Sequence, residues 1–204
     1  MDVQAGILLV AGLLAFVVGG LLPPVRAFTG SPQEQMAEIR EHPARWRWSA
    51  TAIGVSVILT LGGLALLRAI LARQGAEVLS TLGFVLFGFA AVFFVLELAF
   101  RATVQVDAAT ADAVPPGFEV LRRWAGSLYW IYMPVSYLAL AAFGGAIVRT
   151  SAVAAALGWL ALVVGLGGAL VYVVRAPRWL WTIADLPGVL YLVTGAIGID
   201  LLLR

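Results

Sequence analysis

Residues Val78–Phe100 read VLSTLGFVLFGFAAVFFVLELAF and close on Arg101, with Glu97 as the single ionisable side chain in the run. A hydrocarbon core of roughly 30 Å is crossed by about 20 apolar residues of α-helix, and this stretch meets that length with no room for solvation by charge. Working outward, five further runs have the same character: Val3–Leu22, Trp48–Leu71, Ala125–Val148, Ala152–Val174 and Ile183–Leu203. The expected fold is all-α, a polytopic bundle of six transmembrane helices making a single integral membrane domain over 1–204.

Composition agrees. The chain is 62% hydrophobic and 12% charged, with a mean hydropathy of +1.00, where a soluble domain carries about 25% charge. It has no cysteine, which excludes thiolate nucleophiles, iron–sulfur clusters and cysteine–zinc sites. All 13 basic residues are arginine, so Schiff-base chemistry, which needs a lysine amine, is excluded as well. The one histidine, His42, falls in a connection, so neither a bis-histidine haem nor an intramembrane Ser–His pair can be built. No cofactor, structural metal or nucleic-acid partner is expected. The partners expected are the lipid bilayer and, beyond it, further copies of the chain or other membrane proteins.

Arginine placement orients the chain. The first, third and fifth connections hold Arg26, Arg40, Arg45, Arg47, Arg101, Arg122, Arg123, Arg175 and Arg178; the other side holds Arg68, Arg73, Arg149 and Arg204. Basic residues stay on the cytoplasmic side, so these three loops are expected there and both termini outside. Three helices also begin on an arginine–tryptophan signature, at Arg45-Trp46-Arg47-Trp48, Arg122-Arg123-Trp124 and Arg178-Trp179-Leu180-Trp181. Tryptophan settles at headgroup level while arginine reaches the phosphates. The first run lacks a basic leader and ends on Pro23-Pro24, so it reads as a retained helix.

Between the first two spans, Ser31-Pro32-Gln33-Glu34 is a capping-box start and His42-Pro43 a stop, predicting a short cytoplasmic interfacial helix. Its Glu34, Glu38, Glu41 and His42 share a face, which reads as a solvated face with a Glu41–Arg45 pair more readily than as a metal site. Residues 103–116 read as a loose acidic loop. Similar endings, Glu97-Leu98-Ala99-Phe100-Arg101 and Asp200-Leu201-Leu202-Leu203-Arg204, suggest inverted halves 1–101 and 125–204, although glycine-rich helices produce such matches by chance. Gly158, Gly165 and Gly168 mark a close helix contact, within the chain or with a neighbour.

Few polar groups are left to carry chemistry. Glu97 lies roughly 6 Å inside the end of its helix at 1.5 Å per residue, and Arg101 four residues on shares its face. Two readings stand: a snorkelling ion pair, or a proton- or cation-handling acid facing the bundle interior. On the fourth span Tyr129, Tyr132, Met133, Ser136 and Tyr137 fall within about 140° at 100° per residue, and Pro134 frees a carbonyl one turn earlier. That stripe either packs or lines a polar cavity with Glu97. Asp200–Arg204 reads as an exposed interfacial pair, and Asp185 as an acid complementing a helix start. No catalytic motif is present. The expected function is a small transporter, channel or polar-ligand sensor using Glu97, Arg101, Tyr129, Tyr132, Ser136 and Tyr137. The alternative is an accessory subunit of a membrane complex; a lipid-acting intramembrane enzyme is the weaker third.

Overall fold

The computed structural model describes residues 1–23, 31–111, 113–174 and 187–204, and among these it contains helices and turns but no strand. In chain order the helices are α1 (Asp2–Leu21), α2 (Pro32–Glu41), α3 (Pro43–Arg73) and α4 (Glu77–Phe100). A π-helical turn, Arg101–Gln105, leads into α5 (Val106–Thr110), and α6 (Phe118–Val148), α7 (Ala155–Val173) and α8 (Gly188–Leu203) follow. Five helical runs are long and apolar enough to cross a membrane: α1, α3, the run Glu77–Thr110, α6 and α7. α8 has 16 residues, about 24 Å of helix. The first residues of the expected sixth span, with Asp185, lie outside the described residues, as do Arg26, Arg175 and the Arg178–Trp181 signature.

Local chemistry sets the helix ends. Ser31 Oγ accepts from the Glu34 N–H at 3.4 Å and Glu34 Oε2 from the Ser31 N–H at 2.7 Å, a closed capping box with Pro32 at the first position. The turn from α3 to α4 is a Schellman closure: Ala76 N–H reaches Leu71 O at 3.0 Å and Gly75 N–H reaches Ala72 O at 3.1 Å. Gly75 sits at φ +87°, a conformation glycine adopts without a Cβ penalty. Residues 103–110, expected as part of a loose loop, are instead helical. Val106, Ala108 and Ala109 are buried and Val106 and Ala109 pack with Ile39 and Trp46, while Asp107 turns outward to Arg47 at 3.2 Å. Alternating apolar and polar residues there serve a short helix facing α2. α3 and α6 likewise begin earlier than their apolar runs, at Pro43 and Phe118.

Neighbours in space follow neighbours in sequence: α1 packs on α3, α3 on α4, α4 on α6 and α6 on α7, while α8 packs on α1 and only lightly touches α7. α6 is the most enclosed, with 67% of its apolar window buried against 28% for α1 and α7. Glycines bring the main pairs close. A Cβ added at Gly6 would sit 2.7 Å from Gly198 O, one at Gly19 3.0 Å from Ser49 O, and one at Gly144 2.7 Å from Gly158 O. Ser49 Oγ also donates to Gly19 O at 2.6 Å across α1 and α3. Small residues let helix backbones approach where no hydrophobic effect separates protein from solvent. Gly158, Gly165 and Gly168 all face α6 of the same chain, which resolves whose contact they serve.

A Cβ at Gly165 would lie 2.6 Å from Tyr137 O, whereas one at Gly167 meets nothing within 4 Å. Gly165→Ala should therefore destabilise the protein by about 1–3 kcal/mol through overpacking, and Gly167→Ala should be neutral or slightly stabilising. Thermal unfolding of the two variants in detergent checks this; the reverse order would refute the packing.

Candidate functional site

At the end of the bundle where α3 and α6 begin and α4 finishes, α2 and α5 form a cover. Arg40 donates to the end of α5, Nε to Ala109 O at 2.6 Å and Nη2 to Ala111 O at 3.3 Å. This fixes α2 across α5 and satisfies carbonyls that the last turn leaves open. Beneath the cover lies a half-open cavity of about 240 Å³ lined by Gln35, Trp46, Glu97, Phe100, Arg101, Gln105, Arg122, Ala125 and Gly126.

Glu97 is its charged centre. The residue is only 6% exposed. Arg101 Nε donates to Oε1, but Oε2 is buried with no hydrogen-bond partner among the described residues. The Arg101 side chain is the more exposed of the pair, at 24% against 8% for Glu97. Arg122 is held from outside the cavity by Glu119, with Nε–Oε2 and Nη2–Oε1 both at 2.8 Å. A buried carboxylate with one empty oxygen is costly in a low-dielectric interior. What the cavity can do chemically follows from that oxygen: it accepts a hydrogen bond or a positive charge from something small.

One turn deeper stand the aromatic residues. The Phe94 ring stacks on Tyr132 with centroids 4.1 Å apart and planes 7° off parallel, and Tyr129 leans on both at 6.3 and 6.1 Å. The expected residues therefore divide. Glu97 and Arg101 line the cavity, and Tyr129 and Tyr132 back it. Ser136 opens instead onto a separate void of about 20 Å³ shared with Leu64, Phe87 and Thr194. Tyr137 belongs to the α6–α7 contact, its ring filling the hollow at Gly168 beside Tyr172 at 6.4 Å.

Sequence reading missed the partners of Tyr132. Its hydroxyl lies in interacting range of Tyr191 and Ser136, and Tyr191 in range of Ser56. None of Tyr132, Tyr191, Ser136 or Thr60 completes a well-aligned hydrogen bond from its hydroxyl among the described residues. Ser56 and Thr194 turn back to their own helices, to Ile53 O at 2.6 Å and Leu190 O at 3.0 Å. The signal was available: Ser56 and Thr60 are four apart, Tyr191 and Thr194 three apart, so each pair places hydroxyls on one face of an apolar helix.

Elsewhere, Glu38, Glu41 and His42 bring ligand atoms within 4.8 Å of one another, but the expected Glu41–Arg45 pair does not form among the described residues. Asp200 does more than pair with Arg204 (2.7 Å): its Oδ2 also accepts from Ala154 N–H at 3.0 Å, and Arg204 Nη1 donates to Ser151 O at 2.9 Å. This pair pins α8 to the turn before α7. Comparison with known proteins finds no family model, curated protein or solved structure that matches the chain.

Removing one partner of a buried pair strands the other charge. Arg101→Ala should cost about 3 kcal/mol because it leaves the buried Glu97 without its partner, whereas Glu97→Gln, which leaves the more exposed arginine, should cost much less. Unfolding midpoints in one detergent compare the two; an equal or larger loss in Glu97→Gln would contradict this account.

Proposed function

We propose that the chain is a non-enzymatic membrane protein of six spans, with both termini outside and α2 on the cytoplasmic interface, that admits a small polar solute or ion to Glu97 as a transporter, channel or ligand sensor. One observation carries this reading: the buried, half-satisfied carboxylate of Glu97 borders a cavity of mixed polarity rather than packed side chains. A pair that merely snorkels reaches water or headgroups with both partners; here only the arginine is placed to do so.

Other features support the orientation. The cavity, α2 and the signatures at Arg45–Trp48 and Arg122–Trp124 share one end, and Trp48 and Trp124 are exposed there, as an interfacial belt requires. Including α8 as a spanning helix brings both termini to one side. An accessory subunit would present an outer seam of small residues for a partner. Most of the helical glycines meet another helix of the same chain within 4 Å, while Gly20, Gly54, Gly126 and Gly167 meet nothing. A lipid-acting enzyme would need two convergent catalytic groups, and the nearest carboxylate is already committed to Arg101.

The absence of cysteine makes thiol mapping clean. Gln105→Cys, in the cavity wall, should react with a membrane-impermeant thiol reagent in inverted vesicles. Phe89→Cys, 54% exposed on the outward face of α4, should stay inert within lipid. Protection of both positions, or reaction of Gln105→Cys only from the opposite side, would sink the reading.

A further inference from the structure

We infer that the cavity at Glu97 takes a zwitterion of the phosphoethanolamine type, a primary ammonium beside a phosphate; this rests on reading the cavity as a ligand site. The walls present one carboxylate, Glu97, and two guanidinium groups, Arg101 and Arg122. A bare cation would satisfy Glu97 Oε2 but leave the spare N–H groups of Arg101 and Arg122 without an acceptor. A simple anion would suit the arginines but meet an unpartnered carboxylate oxygen, and repulsion between like charges is strong where water is scarce.

A molecule carrying both signs resolves the conflict. An ammonium N–H can donate to Glu97 Oε2, the oxygen that has no partner among the described residues. The terminal amino groups of Arg101 have no bond among the described residues, since that side chain uses only Nε on Glu97. Arg122 retains Nη1 beyond its two bonds to Glu119. Two guanidinium groups at one wall suit a phosphate, which offers several oxygens to their forked donors. The side-chain amide of Gln105, also without a bond among the described residues, adds a neutral donor and acceptor. Trp46 and Phe100 supply apolar wall for the intervening methylenes. The volume, about 240 Å³, lies below the range of drug-sized sites and suits a headgroup-sized guest. The shared chemistry has two sources, a free solute or a lipid headgroup entering from the interface.

Gly126 lines the cavity and a Cβ there meets nothing within 4 Å, so Gly126→Cys is a reporter with little steric cost. In phosphatidylcholine nanodiscs, phosphoethanolamine should slow its modification by a charged thiol reagent at concentrations at least roughly tenfold lower than phosphocholine, whose trimethylammonium has no N–H to donate. Adding Glu97→Gln should abolish that difference; should that variant fold poorly, the comparison of the two solutes on intact Glu97 stands alone. Slowing by phosphatidylethanolamine nanodiscs without added solute assigns the guest to lipid, and its absence with solute protection assigns it to a free zwitterion. Free reaction of Gly126→Cys with no protection, or equal protection by phosphocholine or inorganic phosphate, overturns the inference and leaves the polar cavity intact. No reaction at all removes the cavity reading itself.

Discussion

Hydrocarbon offers no hydrogen-bond partner, and that constraint governs nearly every feature of this bundle. Backbone groups must be satisfied within helices, which is why the described residues form long helices joined by short turns. The faces that do not touch other helices are paved with Val, Leu, Ile and Phe. Lipid tails are as apolar as those side chains, so burial alone gives little reason for helices to meet. Association instead depends on close backbone approach and on a few polar contacts. The glycine contacts between α1 and α8, α1 and α3, and α6 and α7 are the first; Ser49 on Gly19 and Asp200 on Ala154 are the second.

Under the same constraint, polar groups left incomplete stand out. Serine and threonine hydroxyls on an apolar helix usually return their proton to a carbonyl one turn back, as Thr51, Ser80 and Thr194 do here. The cluster of Tyr132, Tyr191 and Ser136 does not, and it gathers α6 and α8 around Ser56 of α3. The void beside Ser136 and Thr194, about 20 Å³, has the volume of one water but walls that are almost wholly apolar, and a buried water needs two or more polar partners.

The run Val78–Phe100 announced its own helix almost to the residue, because uninterrupted apolar length admits one structure in lipid. The capping box at Ser31 was equally plain, since its geometry is local. Glu97 and Arg101 could be paired from spacing alone. What spacing could not give was the unequal environment of the two carboxylate oxygens, or the cavity that Trp46 and Gln35 help to line from other helices. A stripe wide enough to hold Tyr129 also reaches Tyr137 and places it on the Glu97 face; the hollow at Gly168 on α7 draws its ring away instead. Residues 103–110 were misread as loop because the run after Arg101 mixes Thr, Gln and Asp with its valines and alanines. Their apolar face has meaning only against Ile39 and Trp46.

The cover made by α2 and α5 explains why a cavity survives at this end of the bundle. α4 does not stop at Arg101 but widens into a π-helical turn, a distortion that recurs at functional sites, and then continues as α5. Had the chain left the bundle at Phe100, Glu97 would sit at an open rim, hydrated and paired on both oxygens. Continuing the helix carries Gln105 over the carboxylate and presents α5 to α2, where Arg40 fastens the ends of α5 from Ala109 and Ala111. Gln105 and, from α2, Gln35 thus border the space in front of Glu97 without filling it. Packing alone would favour closing such a space or replacing its charge with an apolar side chain, and the fastening by Arg40 acts against that closure.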